Sequence, residues 1–156
     1  MTSEDWQIVR QWLIENIGEK VGTLQINSVS GGDINQAYCI DDAHQRYFIK
    51  TNNRDLLFMF EAECQALHDL NNCHSIRVPK PIGSGVANKQ SFIVMEYIDL
   101  VGRADEVLLG QQLATLHLNT KPKFGYSMDN TIGSTPQLNQ VEGNWVQFWQ
   151  KFRLGH

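Results

Sequence analysis

Lys50, at the end of the strand-like run RYFIK, stands between a glycine-bearing turn, SGGDINQAY over residues 30–38, and a helical segment that carries Glu63. Binding a polyphosphate requires backbone N–H groups from a tight turn and a cation anchored by an acid. Each requirement has a candidate here. Gly31 and Gly32 lack the Cβ that would keep backbone amides away from phosphate oxygens, and they tolerate positive φ in a sharp turn. By itself a Gly-Gly pair between strands is ordinary hairpin chemistry, and a lone strand-end lysine is usually solvated. Glu63 changes that balance, because it falls within the apolar stripe of Leu56, Phe60, Leu67 and Leu70, where a carboxylate rarely sits unless paired. Lys50 is its natural partner. Tyr47 and Ile49 alternate with Phe48, so the Lys50 ammonium should project from the face that carries Phe48. Glu61, about 200° around the helix from Glu63, is the solvent-facing rival. A turn, a lysine and a glutamate so arranged would hold the phosphates of ATP.

FIVMEYI, residues 92–98, reads as a buried strand from Phe92 to Met95. Beyond it, Glu96, Tyr97 and Ile98 can offer backbone carbonyl and amide groups to an adenine edge, with Met95 bordering the pocket. An ordinary core strand is the competing reading. His117 closes the helix LLGQQLATLH, where Leu109, Leu113 and Leu116 predict core packing and a hydrogen-bonded structural histidine rather than a general base. Trp145, Phe148 and Trp149 are spaced i, i+3, i+4, which is packing geometry before it is a sugar-stacking platform. His44, His68 and His74 lack ligand spacing and are expected at the surface, and His156 is the last residue.

Several elements must position these groups. Ser3 can cap an amphipathic helix in which Trp6, Val9, Leu13 and Ile17 recur before Gly18. From 24 to 50 the pattern shortens to the strand-like runs LQINSV, AYCI and RYFIK, and a helical period follows over 55–70. Pro79 and Pro81 end that helix, and IGSGVA pairs with QSFIVMEYI about Asn88 and Lys89. The expected fold is α+β: a first helix, five antiparallel strands with one inserted helix, then a mainly helical second lobe beginning near residue 99. Residues 105–118 and the segment holding Trp145 to Phe152 are its helices, joined by a loop containing Gly and Pro.

The 156 residues suffice for one domain or two small lobes, and 42% hydrophobic with 19% charged residues fits a globular core. A formal charge of -4 without a Lys/Arg cluster argues against nucleic-acid or anionic-membrane partners. Cys39, Cys64 and Cys73 form no CxxC pair and read as reduced thiols, with neither a disulfide framework nor a metal knuckle. The acidic, amphipathic amino terminus is unlike a signal peptide, no run is long enough to span a bilayer, and a cytoplasmic location is expected. Walker A and GxGxxG patterns are absent.

Taken in order, GGDINQAY, YFIK, FEAECQAL, VPKPIGSG, FIVMEYI, LGQQLATLH, FGYSMDNTIGSTPQLN and WVQFWQKFRL resemble the fructosamine kinase, or ketosamine-3-kinase, family. The first motifs are shared with the wider aminoglycoside phosphotransferase and choline kinase group; GGDIN and the segment from FGYSMDN to WVQFW narrow the resemblance. It covers essentially the whole chain. It implies a protein-kinase-like fold, with an N-lobe over 1–98 and the start of a helical C-lobe over 99–156, and ATP-dependent phosphorylation of the sugar 3-hydroxyl of ketosamines, on small molecules or on glycated protein lysines. By position, Ser30, Gly31, Gly32, Asp33, Ile34 and Asn35 would form the phosphate loop, with Lys50 the phosphate-binding lysine, Glu63 its acid and Glu96 to Ile98 the hinge. Some relatives carry cysteine where Asp33 stands, so a redox-sensitive disulfide in this turn is not expected.

One departure weighs heavily. Family members are nearly twice as long and carry an HGDLW-type catalytic loop ending in Asn, then a metal-binding Asp. This chain has neither before His156, so no catalytic residue and no Mg²⁺ ligand is assigned within it, although the complete enzyme would use Mg²⁺. As given, it is expected to bind nucleotide weakly, turn over negligibly, and self-associate through apolar helix faces around His117 and Trp149. The alternatives are a kinase of another small hydroxyl substrate, as in aminoglycoside or choline kinases, and a non-catalytic nucleotide-binding or interaction module.

Overall fold

Strand β5, Gln90–Glu96, is an apolar run with its residues Ser91 to Met95 all buried, the pattern of a strand covered on both faces. The structure is a computed structural model that describes residues 1–18, 21–30, 34–100, 102–103 and 105–155. Earlier in the chain come helix α1, Ser3–Ile17, and strands β1, Gln25–Val29, β2, Gln36–Asp41, and β3, Arg46–Asn53. Helix α2, Leu57–Asn72, and strand β4, Pro81–Ala87, precede β5. All five strands pair antiparallel in the order β1-β2-β3-β5-β4. Two compact units result, residues 1–69 with 78–102 and residues 70–77 with 103–156.

Cross-strand partners point to the same side of a sheet, so the pairing register sorts the first unit into two faces. On one face Ile40, Tyr47, Ile49, Phe92 and Val94 pack with Val9 and Leu13 of α1. On the other, Ile93 and Met95 meet Phe60 of α2, with Phe48, Cys64 and Leu67 against them. Burial pushes the Cys39 and Cys64 thiols up from their ordinary range, and the neighbouring Glu63 carboxylate adds to the effect on Cys64. Among the described residues Cys39, Cys64 and Cys73 form no disulfide. Lys50 lies inside β3 rather than at its end, because Thr51, Asn52 and Asn53 go on to pair with Phe92, Ser91 and Gln90 of β5.

The cap of α1 is Thr2, not Ser3. The Thr2 hydroxyl accepts the Asp5 N–H at 3.2 Å, while the Asp5 carboxylate accepts the Thr2 N–H at 2.7 Å. This reciprocal box requires an acid three residues after the cap; from Ser3 the corresponding residue is Trp6. Asp5 is 4% exposed and also accepts from the Asn88 amide at 2.9 Å, joining α1 to the β4–β5 turn. Trp12 packs edge-on against Phe92 at 5.3 Å. Gly85 makes room there, since a Cβ would come within 2.7 Å of the Phe92 ring.

In the second unit, helix α3, Glu106–His117, is followed by a two-stranded hairpin, β6, Asn130–Ile132, and β7, Thr135–Gln137. The chain then forms α4, Trp145–Trp149, and a π-helical turn, Gln150–Leu154. The expectation of a core helix at residues 105–118 is not met: Val107, Leu108, Leu109 and Leu113 of α3 are exposed, and so is His117. His117 stands in the last turn of α3, at the negative end of the helix dipole. Of the aromatic trio only Phe148 is buried, stacked on Trp145 at 5.9 Å, while Trp145 and Trp149 stay exposed. The β6–β7 hairpin lies where the sequence reads as a loop; three-residue strands leave too short an alternation to detect.

Hydrogen bonds from the Thr2 backbone and the Asn88 amide hold the Asp5 carboxyl below its ordinary value despite burial. Asp5→Ala should cost about 1–2 kcal/mol, measured by urea unfolding. A depressed folded-state pKa gives stability that is full above the unfolded value near 3.8 and is lost as pH falls through the folded one. The stability difference between wild type and Asp5→Asn should therefore narrow below about pH 4.

Candidate functional site

β3 carries the site on its even-numbered side chains. Lys50 pairs across the sheet with Ala37 and Ile93, and Ala37 pairs with Val29, so the four form one row. Asn27, Cys39, Phe48 and Met95 form the next. From α2, Glu63 reaches this face, and the Lys50 Nζ donates to Glu63 Oε1 at 2.5 Å. Both side chains keep about 30% of their exposure, 30% for Lys50 and 28% for Glu63. That exposure leaves the ammonium open to a solution ligand and screens the pair's own attraction. Glu61 is exposed on the far side of the helix.

Beside the pair is a cleft of about 280 Å³ lined by Phe48, Lys50, Glu63, Pro79, Met95, Glu96, Ile98 and Leu100. Its walls are mostly apolar, with the Lys50–Glu63 pair at one end and Glu96 towards the other, and apolar walls with a few polar groups are the usual make-up of a small-molecule site. The sequence-predicted residues Lys50, Glu63, Met95, Glu96 and Ile98 all meet here. The Glu96 N–H is already given to the Lys80 carbonyl at 2.8 Å, and the Glu96 carboxylate accepts the Lys80 N–H at 3.2 Å. The Glu96 N–H is therefore not available to a ligand at this end of the cleft.

Tyr97 is fixed from the side by Arg46, a residue that nothing local in the sequence singles out. The Arg46 guanidinium lies over the Tyr97 ring at 4.6 Å and forms an ion pair with Asp99. Phe48 and Leu100 are further wall residues that the sequence-based assignment of the site lacks; the alternation about Lys50 is the available signal for Phe48, whereas nothing local marks Leu100.

A second hollow, about 330 Å³, lies at the connecting end of the β1–β2 hairpin and is lined by Ser28, Val29, Ser30, Asn35, Gln36, Ala37 and Tyr38. Ser30 and Asn35 of the expected phosphate loop line it. Ile34 is exposed beside them. Gly31, Gly32 and Asp33 lie outside the described residues, as does His156.

A second cluster, in the other unit, has no counterpart among the sequence-predicted residues. Asn139 is 4% exposed and takes its place by donating its backbone N–H to Asp129 Oδ1 at 2.7 Å and its amide to the Met128 carbonyl and the Asn130 side chain. Arg153 donates to the Asn139 and Leu138 oxygens at 2.6 Å and stacks over Phe148. These bonds tie residues 128–130 to residues 138–139 and 153 within one segment, which makes the cluster a folding hub. Among the described residues no group of three or more His, Cys, Asp or Glu side chains could hold a metal ion. No helix among them is long and apolar enough to cross a membrane.

A five-stranded antiparallel sheet with one inserted helix, a lysine on the third strand and a glutamate on that helix is the arrangement of a protein-kinase-like amino-terminal lobe. The solved structures agree. One from Haemophilus somnus, provisionally named a fructosamine-3-kinase, matches 96% of this chain and 52% of its own with a TM-score of 0.87 at 27% identity. Another from Thermobifida fusca, named in the same way, covers 93% of this chain and 50% of its own with a TM-score of 0.70 at 25% identity. The fructosamine kinase family model matches residues 5–156, and the chain belongs to that family. It is 38% identical over 155 residues to a Synechocystis protein named "Probable ketoamine kinase", covering 97% of this chain and 52% of that one. It is 40% identical over 151 residues to the chloroplastic protein-ribulosamine 3-kinase of Oryza sativa subsp. japonica, covering 94% and 44%. The chain spans about half the length of the curated relatives it matches.

Removing one partner of the ion pair strands the other on a partly buried face. Glu63→Ala should lower stability by about 1 kcal/mol, and Glu61→Ala should stay within about 0.5 kcal/mol of wild type. Urea midpoints measure both, and equal shifts would mean that Glu63 contributes nothing through Lys50.

Proposed function

We propose that this chain forms the nucleotide-binding part of an ATP-dependent kinase that phosphorylates the 3-hydroxyl of ketosamines, the products of sugars adding to amines, in a deglycation repair role. The observation that carries this reading is the Lys50–Glu63 pair at the charged end of an apolar cleft. The names of the relatives supply the substrate class: ketoamine and ribulosamine kinases.

Bound ATP would supply a phosphoryl group activated for transfer to a hydroxyl. The chain's own residues would hold it. Phe48, Met95, Ile98 and Leu100 give the apolar walls for the base, and the backbone of Tyr97 and Ile98 reads its edge. Lys50, kept on the site face by Glu63, neutralises phosphate charge in a setting where the cleft walls exclude part of the solvent. Ser30 and Asn35, which line the second hollow, would face the phosphates. The cleft's 280 Å³ suits a base with the phosphates outside it.

Lys50→Ala should weaken ATP binding by about tenfold or more while the fold stays intact, as measured by calorimetry alongside circular dichroism. Unchanged affinity would remove the phosphate-binding role. The protein expressed from its complete reading frame should release ADP on fructose- or ribose-derived ketosamines and not on choline or aminoglycosides; the reverse preference would overturn the substrate class.

A further inference from the structure

Asn52 follows Lys50 by two residues on β3 and shares its face of the sheet. Its side chain is held in one orientation by three contacts. The Asn52 Oδ1 accepts the Asn53 N–H at 2.7 Å. Its Nδ2 donates to the Ile34 carbonyl at 3.2 Å and to the Asn35 Oδ1 at 2.7 Å. A backbone N–H can only donate and a carbonyl can only accept, so Asn52 cannot be flipped. The atom of Asn35 that faces Asn52 must then be its oxygen.

This orientation has a chemical consequence. With its oxygen committed to Asn52, the Asn35 amide presents its two N–H donors away from β3, and among the described residues they have no partner. Asn35 lines the hollow at the hairpin end together with Ser28 and Ser30. The strand beneath is fixed as well, because the fully buried Ser91 hydroxyl donates to the Asn53 carbonyl at 2.8 Å.

We propose that Asn52 is a positioning residue that pins the end of the glycine-bearing turn and aims the Asn35 amide N–H₂ outward as a phosphate donor, coupling the turn to the strand that carries Lys50. This rests on the nucleotide-binding reading above. Asn35 touches the ligand; Asn52 acts through it.

The test measures binding of ATP, adenosine and inorganic tripolyphosphate to the 156-residue chain by calorimetry, for wild type, Asn52→Ala, Asn35→Ala and the double variant. Each single variant should weaken ATP and tripolyphosphate about five- to tenfold and leave adenosine unchanged. The double variant should lose far less than the product of the two, because both changes remove the same directed donor. Asn35 sits on the turn, outside the core, so its variant reports on the donor even if Asn52→Ala unfolds. Equal losses for adenosine, multiplied losses in the double variant, or no loss in a wild type that binds would each overturn the proposal. A wild type that binds none of the three ligands overturns the nucleotide reading itself, and this proposal with it.

Discussion

β3 has two faces with opposite tasks, and the alternation of its side chains holds both together. Tyr47, Ile49 and Thr51 are buried on the α1 side, whereas Phe48, Lys50 and Asn52 look toward α2 and the cleft. A strand's period is two, so a slip of one residue would exchange the sets, burying a lysine in the core and exposing a tyrosine and an isoleucine. The strand cannot slip at low cost, because it is the middle one of five, paired on one side with β2 and on the other with β5. Packing on one face thus fixes the chemistry on the other.

The remaining elements act through that strand. α1 covers the core face, and its Asp5 ties it to the β4–β5 turn. α2 supplies Glu63 to Lys50 and Phe60 to the cluster beneath the cleft. The segment beyond β5 is gathered back to the start of β3 by Arg46, which grips Tyr97 and Asp99 together. The end of the glycine-bearing turn is gathered to the other end of β3 by Asn52. One strand therefore organises the segment after β5, the lysine and the end of the β1–β2 connection. The Arg46–Asp99 ion pair is exposed and individually weak; the value of the contacts at the two ends is geometric, since each holds a neighbouring segment to β3.

Family membership and the kinase-like lobe follow from motifs that are contiguous in the chain, and contiguous motifs are legible in the sequence. Glu63 is identifiable there because a carboxylate in an apolar stripe calls for a partner, and Lys50 is the lysine at the right place. Other features are not legible. Ser3 and Thr2 are both good caps, and the choice depends on Asp5 being reachable from one and not the other. The leucines of α3 have the spacing of a core helix, but the spacing shows only that an apolar stripe exists, not what covers it. Arg46, Asn52 and Asn139 are inconspicuous in sequence because their partners lie as many as 53 residues away, as with Arg46 and Asp99.

By itself the sequence determined the order and type of the elements of the first unit and the lysine with its acid, because periodicity, apolar patterning and turn chemistry are properties of neighbouring residues. Tertiary structure alone decided which backbone groups remain available after β5, once Lys80 had taken the Glu96 N–H. It also decided which way Asn35 presents its amide, once Asn52 had taken its oxygen. Hydrogen-bond donors and acceptors are consumed by whatever packs against them, and that depends on contacts between segments distant in the chain.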